Sequence, residues 1–104
     1  MNERRRSAEL FARAQQNFLC ALAVELAKRN ITVNAVAPGF TLSDGVLENG
    51  LHSKMPESSR TTGRCIQRDQ VPEDLVGAVG FLSGEGAGFI TGQTLAVDGG
   101  VIFL

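Results

Sequence analysis

The chain has 104 residues, enough for one domain with a modest hydrophobic core and too few for two. Hydrophobic residues make up 43% of it and charged residues 20%, which are ordinary values for a globular protein. The formal net charge is -1, and this near-neutral balance disfavours any partner that is held by bulk charge. We therefore expect neither nucleic acid nor a membrane among its partners.

Cysteine and histidine are too few to predict a metal site. The chain has two cysteines, Cys20 and Cys65, and one histidine, His52, whereas zinc takes four protein ligands, or three and a water. The cysteines lack paired spacing and a basic neighbour, so we expect free thiols that serve in packing. No secretory leader is visible, and no apolar run approaches the roughly 20 residues that span a bilayer. These features predict a reducing, cytoplasmic compartment.

The first predicted element is a long helix over residues 5–29, which contain neither proline nor glycine. Its apolar residues recur at helical spacing and form one stripe, made of Leu10, Phe11, Phe18, Leu19, Leu22 and Leu26. Lys28 and Arg29 suit the negative end of the helix dipole, and Asn30 suits the terminating position. The arginines at residues 4–6 are interpreted as a solvated helix start, with an anion or partner contact as the alternative.

A buried strand is predicted over residues 31–37, where β-branched side chains are frequent. It should stop at Pro38 and Gly39, because proline has no N–H for a ladder and glycine permits unusual dihedrals. Ligands of open parallel sheets bind beyond the carboxyl ends of the strands. The polar loop that follows this strand is therefore the candidate site.

The remainder predicts an α/β protein. Residues 40–70 are polar and irregular, with short helical turns expected at 45–51 and 54–60, and such a segment is often a functional lid. A second helix should begin near Pro72 and a second strand should cover residues 94–97. The order is long helix, parallel strand, lid, helix, parallel strand, joined by a right-handed crossover. Two strands do not form a stable open sheet alone, which predicts a missing part of the fold or partner chains.

Four motifs resemble the carboxyl-terminal portion of a short-chain dehydrogenase/reductase. They are Leu-Ala-Val-Glu-Leu-Ala at 22–27, Ile-Thr-Val-Asn-Ala-Val-Ala-Pro-Gly at 31–39, Pro-Glu-Asp-Leu at 72–75, and Phe-Ile-Thr-Gly-Gln at 89–93 with Val-Asp-Gly-Gly at 97–100. The resemblance covers residues 18–104 and implies that residues 1–104 are one truncated, partial Rossmann-like domain. It also implies an oxidoreductase that transfers hydride between NAD or NADP and a carbonyl or alcohol.

The catalytic parts of that family do not match this sequence. The glycine-rich cofactor turn, the Asn-Asn-Ala-Gly stretch and the catalytic serine have no counterpart, and the Tyr-x-x-x-Lys pair falls on Ala8 and Ala12. The family mechanism needs a phenol whose pKa is lowered by an adjacent ammonium, and the chain contains no tyrosine. We therefore expect no catalytic residue in this chain and no activity from it alone.

The resemblance implies that this chain keeps one wall of the family's nicotinamide pocket. Pro38 and Gly39 would shape the loop, backbone groups around Thr41 would face the carboxamide, and Ser43 would stand where the family has a bonding threonine. The alternative is that Thr41 and Ser43 only satisfy the loop backbone. NAD or NADP is the implied cofactor, although the absent walls argue against binding by this chain alone.

Other polar residues have simpler interpretations. His52 is expected to be an exposed loop residue rather than a substrate contact, and Asp44 to cap a short helix. Arg64 and Arg68 are expected to form surface pairs, with ordering of the lid or binding of an anionic substrate group as alternatives. Asp98 is expected to serve the turn before Gly99 and Gly100.

A second hypothesis is a non-catalytic oligomerisation module. The long helix and last strand resemble surfaces through which family members form dimers and tetramers. Exposed apolar area from an incomplete sheet would drive homo-oligomerisation or association with a full-length relative. A third possibility is a marginally folded gene fragment.

Overall fold

The computed structural model describes residues 3–101, and within that range the side chains of residues 4, 5, 7–9, 11 and 51 fall outside the description. The elements, in chain order, are α1 (Glu3–Ala27), β1 (Ala35–Pro38), α2 (Asp44–Asn49), α3 (Glu57–Arg60), α4 (Glu73–Ser83) and β2 (Thr94–Val97). Short 3-10 turns occupy Leu51–Lys54 and Glu85–Ala87. The order of helices and parallel strands is the one that the sequence predicts.

The long helix α1 begins and ends two residues earlier than predicted, and Asn30 terminates it as expected. Asn30 adopts a left-handed φ of 58°. Its N–H donates to Ala27 O at 3.0 Å, and the next N–H, of Ile31, donates to Leu26 O at 3.2 Å. These nested bonds form a Schellman motif, which satisfies carbonyls that the end of a helix leaves free. Within the predicted stripe, Leu19 is buried whereas Leu10 and Phe18 are exposed, and the other buried residue of α1 among those described is Ala23.

The two strands pair in parallel, as predicted, with Ala35 opposite Thr94 and Pro38 opposite Val97. The prediction placed the start of the first strand too early. Single contacts hold the preceding residues: Val33 O accepts the N–H of Gly92 at 2.8 Å, and Thr91 Oγ1 accepts the N–H of Val33 at 3.0 Å. The amide of Asn34 likewise bonds Ile90 O and the N–H of Gln93 at 2.9 and 3.1 Å. No ladder therefore forms before Ala35.

The crossover between the strands contains α2, α3 and α4. The helical turns predicted within the 40–70 segment are present with slightly shifted bounds, as α2, α3 and the intervening 3-10 turn. Pro72 stands at the N-cap position of α4, as the sequence predicts. The carboxylate of Asp74 accepts the N–H of Val71 at 2.9 Å, which supplies an acceptor at this helix start.

Few apolar side chains are buried in the described part of the chain. Only Leu19, Ala23 and Ala87 are buried there, whereas Phe18 and Val24 on α1 are each 70% exposed. Val33, Ala35 and Val97 of the sheet region are half-buried, which fits the expectation that something else covers them. The structure therefore has the layers of an α/β fold without a closed core.

The cysteines do not pack as predicted. Both Cys20 and Cys65 are free and exposed, because Cys20 lies on an uncovered side of α1 and Cys65 lies in a surface turn. Between residues 3 and 101, no helix is long and apolar enough to cross a membrane. The same described residues contain no cluster of histidine, cysteine or acidic side chains able to hold a metal ion.

The left-handed residue at the end of α1 gives a direct test of this fold. We expect Asn30→Ala to lower the free energy of unfolding by about 1 kcal/mol, because a Cβ without a local hydrogen-bonding group penalises positive φ. Asn30→Gly should be neutral or stabilising, since glycine adopts this φ without strain. Urea titration followed by circular dichroism measures both. Equal effects of the two substitutions would contradict the left-handed cap.

Candidate functional site

The candidate site is the loop of residues 38–43, which leaves the carboxyl end of β1. The N–H of Gly39 donates to Val97 O at 3.1 Å and ends the ladder. The hydroxyl of Thr41 donates back to Gly39 O at 2.9 Å. Beyond it, Thr41 forms an isolated parallel bridge with Gln70, and the N–H of Leu42 donates to Gln70 O at 2.8 Å. The loop is thereby fixed between the sheet and the end of the 40–70 segment.

Ser43 caps the helix that follows the loop. Its backbone is extended, with φ of -77° and ψ of 167°, and its Oγ accepts the N–H of Val46 at 3.4 Å. Asp44 is the first helical residue, so the prediction that Asp44 is the cap is wrong by one position. An acidic side chain in the first turn still complements the helix dipole there.

The hydroxyls of Thr41 and Ser43 both form hydrogen bonds with the loop backbone. The Thr41 hydroxyl donates, whereas the Ser43 hydroxyl accepts. A hydroxyl has one proton to donate and two lone pairs that accept. Thr41 gives its proton to Gly39 O and keeps acceptor capacity. Ser43 accepts through one lone pair and keeps its proton. The two hydroxyls therefore retain one proton to donate, on Ser43, and lone pairs that accept on both oxygens, which suffices for a carboxamide.

Arg64 lies beneath the loop, contrary to the prediction of a surface pair. The residue is only 6% exposed. Its Nη1 donates to Arg68 O at 2.8 Å and its Nη2 donates to Phe40 O at 3.2 Å. The prediction is wrong because the guanidinium is buried and donates to these backbone carbonyls. The guanidinium orders the segment instead, which was one of the alternatives.

Arg68 does form the surface pair that the sequence predicts. Its two terminal nitrogens donate to the two carboxylate oxygens of Asp74 at 2.8 and 2.7 Å. The side chain of Arg68 is 57% exposed. This bidentate hydrogen bonding, helped by the N–H of Val71, holds the pKa of Asp74 below its ordinary value.

Gln70 is a second buried polar residue beneath the loop, and the sequence did not reveal it. Its Nε2 donates to Val97 O at 2.7 Å. The residue is 6% exposed, and its Oε1 is buried without a hydrogen-bond partner among the described residues. A glutamine before Val71 and Pro72 carries no pattern that signals burial. Only the bridge to Thr41 explains its position.

The buried side chains of Arg64 and Gln70 occupy space that is free because nearby residues are glycines without a Cβ. A Cβ at Gly39 would lie 2.9 Å from Gln70 Oε1 and 3.1 Å from Arg64 Nη2. Gly99 has a φ of 68°, and a Cβ there would lie 2.7 Å from Arg64 Cδ. The carboxylate of Asp98 accepts the N–H of Gly100 at 3.0 Å, which confirms the predicted turn role of Asp98.

A second arginine, Arg60, links two parts of the 40–70 segment to each other. Nε and Nη2 of Arg60 donate to the carboxylate of Asp69 at 2.7 Å each, and Nη1 donates to His52 O at 2.8 Å. This hydrogen bonding lowers the pKa of Asp69. His52 is half-buried rather than exposed as predicted, because Arg60 draws its carbonyl inward. The sequence analysis did not single out Arg60.

The positions that correspond to the family's catalytic pair lie on α1. Ala12 is exposed, and the side chain of Ala8 lies outside the described residues. The chain has no tyrosine. No phenol and ammonium therefore stand at these two positions.

The chain belongs to the short-chain dehydrogenase/reductase family. A family profile described as enoyl-(acyl carrier protein) reductase matches residues 13–102. Among curated proteins, the chain is 43% identical over 86 residues to the 3-oxoacyl-[acyl-carrier-protein] reductase FabG of Rickettsia bellii (strain RML369-C). That alignment covers 81% of this chain and 34% of the relative. The chain thus spans about a third of the length of such relatives.

Solved structures agree with the same fold. The chain matches a structure described as "ElxO with NADP Bound" with a TM-score of 0.74 and 30% identity, over 86% of this chain and 36% of that one. It matches YwfH, described as an NADPH dependent reductase involved in bacilysin biosynthesis, with a TM-score of 0.75 and 30% identity, over 88% and 37%. The predicted partial Rossmann-like α/β fold is confirmed.

Substitution of Gly39 tests the close packing under the loop. We expect Gly39→Ala to lower the free energy of unfolding by about 1–3 kcal/mol, because the added methyl overlaps two buried side chains. Gly45→Ala is the matched control, since a Cβ there meets nothing within 4 Å and alanine favours the helix. Chemical denaturation measures both variants. A Gly39→Ala protein as stable as Gly45→Ala would contradict the packing described.

Proposed function

We propose that residues 38–43 form the nicotinamide-facing wall of an NAD or NADP site in a short-chain oxidoreductase fold. The observation that carries this proposal is the pair of hydroxyls at the carboxyl end of β1, of which Ser43 keeps a proton to donate and Thr41 keeps its acceptor lone pairs. The position agrees with the rule that open α/β sheets bind ligands at the carboxyl ends of their strands. Structural neighbours are described with NADP, NADPH or NADH, which supports a nicotinamide dinucleotide, either NAD or NADP.

In this site the chain's own residues bind and orient. The hydroxyl of Ser43 donates its remaining proton to the carboxamide oxygen, and Thr41 Oγ1 accepts from the carboxamide nitrogen. Pro38 and Gly39 set the direction in which the loop leaves the sheet. The bound cofactor supplies the hydride that is exchanged with a carbonyl or alcohol. Residues 40–70 would cover the site as a lid.

The same chain has no group for the proton that accompanies hydride transfer. Ala8 and Ala12 occupy the positions of the family's tyrosine and lysine, and a methyl group neither donates nor accepts a proton. We therefore propose that the chain alone is not a catalyst. A cytoplasmic location belongs to the same proposal, because both thiols are free and such thiols suit a reducing compartment.

Amide chemical shifts measured by NMR test the nicotinamide wall. We expect NADP⁺ at millimolar concentration to shift the amide signals of residues 39–43, and 2′-phospho-ADP-ribose, which lacks nicotinamide, to leave them in place. Ser43→Ala should weaken the shifts and Ser43→Thr should keep them, since threonine retains both the hydroxyl and the cap. NADPH oxidation with a 3-oxoacyl thioester should not occur. Equal shifts from both nucleotides, or turnover by the purified chain, would overturn the proposal.

Association with another polypeptide is a second candidate function, favoured by the exposed apolar surface. Helix α1 presents Phe18 and Val24 at 70% exposure, and α4 presents Val76 at 66%. Covering such side chains with another polypeptide would remove apolar area from water, which favours association. A second copy of the chain or a full-length relative is the proposed partner.

Light scattering distinguishes this association from a monomer. We expect the chain to self-associate at micromolar concentration, and Phe18→Ser with Val24→Ser to shift the equilibrium toward monomer by removing apolar area. Gln15→Ser, at an exposed polar position of the same helix, is the control and should leave the equilibrium unchanged. A wild-type chain that stays monomeric would exclude self-association.

A further inference from the structure

We propose that Arg64 is a positioning residue, which holds the 38–43 loop in its binding conformation by fixing the Phe40 carbonyl. The proposal rests on the function proposed for the loop and names the residue that controls it. Two terminal nitrogens of one guanidinium bridge Phe40 O and Arg68 O, at 3.2 and 2.8 Å. The loop and the last part of the 40–70 segment are thereby joined through a single side chain.

The guanidinium is held in place from several sides. Arg64 is 6% exposed, and hydrogen bonds that involve a charged group are stronger than neutral ones. Its Cδ and Cγ would lie 2.7 and 2.8 Å from a Cβ at Gly99. The carbonyl of the same glycine accepts the N–H of Ile66 at 2.8 Å. The arginine stem therefore fits only because Gly99 has no side chain.

Fixing the Phe40 carbonyl also fixes the next amide. The peptide bond is planar and trans, so the N–H of Thr41 points away from the side on which Phe40 O meets Arg64. The direction of that N–H, and the start of the Thr41 side chain, thus follow from the guanidinium. The Thr41 side chain carries the hydroxyl that the proposed carboxamide contact uses. Arg64 acts on this side chain without contacting the cofactor.

Lysine cannot replace this arginine. A guanidinium is a rigid fork whose nitrogens reach two acceptors in fixed directions, whereas an ammonium is a point charge on a flexible stem. Arg64→Lys keeps the charge and removes the fork. Arg68→Lys is the matched control, because Arg68 lies four residues away, is 57% exposed and pairs with Asp74 at the surface.

Amide hydrogen exchange on the full chain, measured by NMR, tests whether Arg64 holds the 38–43 loop in place. In Arg64→Lys we expect at least tenfold faster exchange at Gly39, Leu42 and Ser43, with unchanged exchange at Ala35 and through α4. Arg68→Lys should leave the loop amides unchanged. Gly99→Ala is a second variant, since it displaces the Arg64 stem and should reproduce the local pattern. Unchanged loop exchange in Arg64→Lys, or faster exchange spread evenly through α4, would overturn the positioning role.

Cofactor titration separates this proposal from the one on which it rests. With Arg64→Lys, the shifts that depend on the nicotinamide of NADP⁺ should weaken by at least threefold, while Arg68→Lys keeps the wild-type response. If the wild type lacks these shifts, the proposed nicotinamide wall is overturned. The positioning of its carboxamide contacts is then overturned as well, even if hydrogen exchange shows that Arg64 holds the loop. Full wild-type shifts in Arg64→Lys would overturn the positioning role alone.

Discussion

Parallel pairing of β1 with β2 is the constraint on which the rest of the structure depends. Parallel strands need a long crossover, and they place both carboxyl ends at one edge of the sheet. The loop after Pro38 and the turn after Val97 therefore meet, although the whole 40–70 segment and α4 separate them in sequence. Arg64 and Gln70 occupy the space where they meet, and both side chains depend on missing Cβ atoms at nearby glycines.

The stability of this arrangement comes from polar contacts more than from a core. Three apolar residues are buried among those described, while Thr61, Arg64, Gln70 and Asp98 are buried polar residues. Each net hydrogen bond contributes about 1 kcal/mol, but an unsatisfied buried group costs more than that. Polar packing of this kind tolerates little displacement. It also leaves the apolar faces of α1 and α4 without a layer to cover them, which is the condition that favours association.

The sequence predicted the elements well, because helix and strand periodicities and the local signals at Asn30 and Pro72 are short-range. It predicted the contacts of the site less well. The sequence predicts Arg64 at the surface because charged residues are rarely buried. No local pattern shows that the guanidinium has two backbone carbonyls as acceptors in the interior. The first strand was overextended because β-branched residues favour a strand only where a ladder partner exists. At residues 31–34 the side chains of Thr91 and Asn34 take that place.

The cap of α2 shows how one local error changes the site. Ser43 and Asp44 are both good caps, and sequence alone gives no reason to prefer the first. With Ser43 as the cap, its lone pair is used by Val46 and its proton remains. With Asp44 as the cap, Ser43 would lie one residue further from the helix and keep both capacities. Where α2 begins therefore decides whether a lone pair of Ser43 is taken up by the cap, whereas its proton is available in either case. The hydrogen bonds that orient the two hydroxyls of the proposed carboxamide contact thus arise from backbone requirements of the fold.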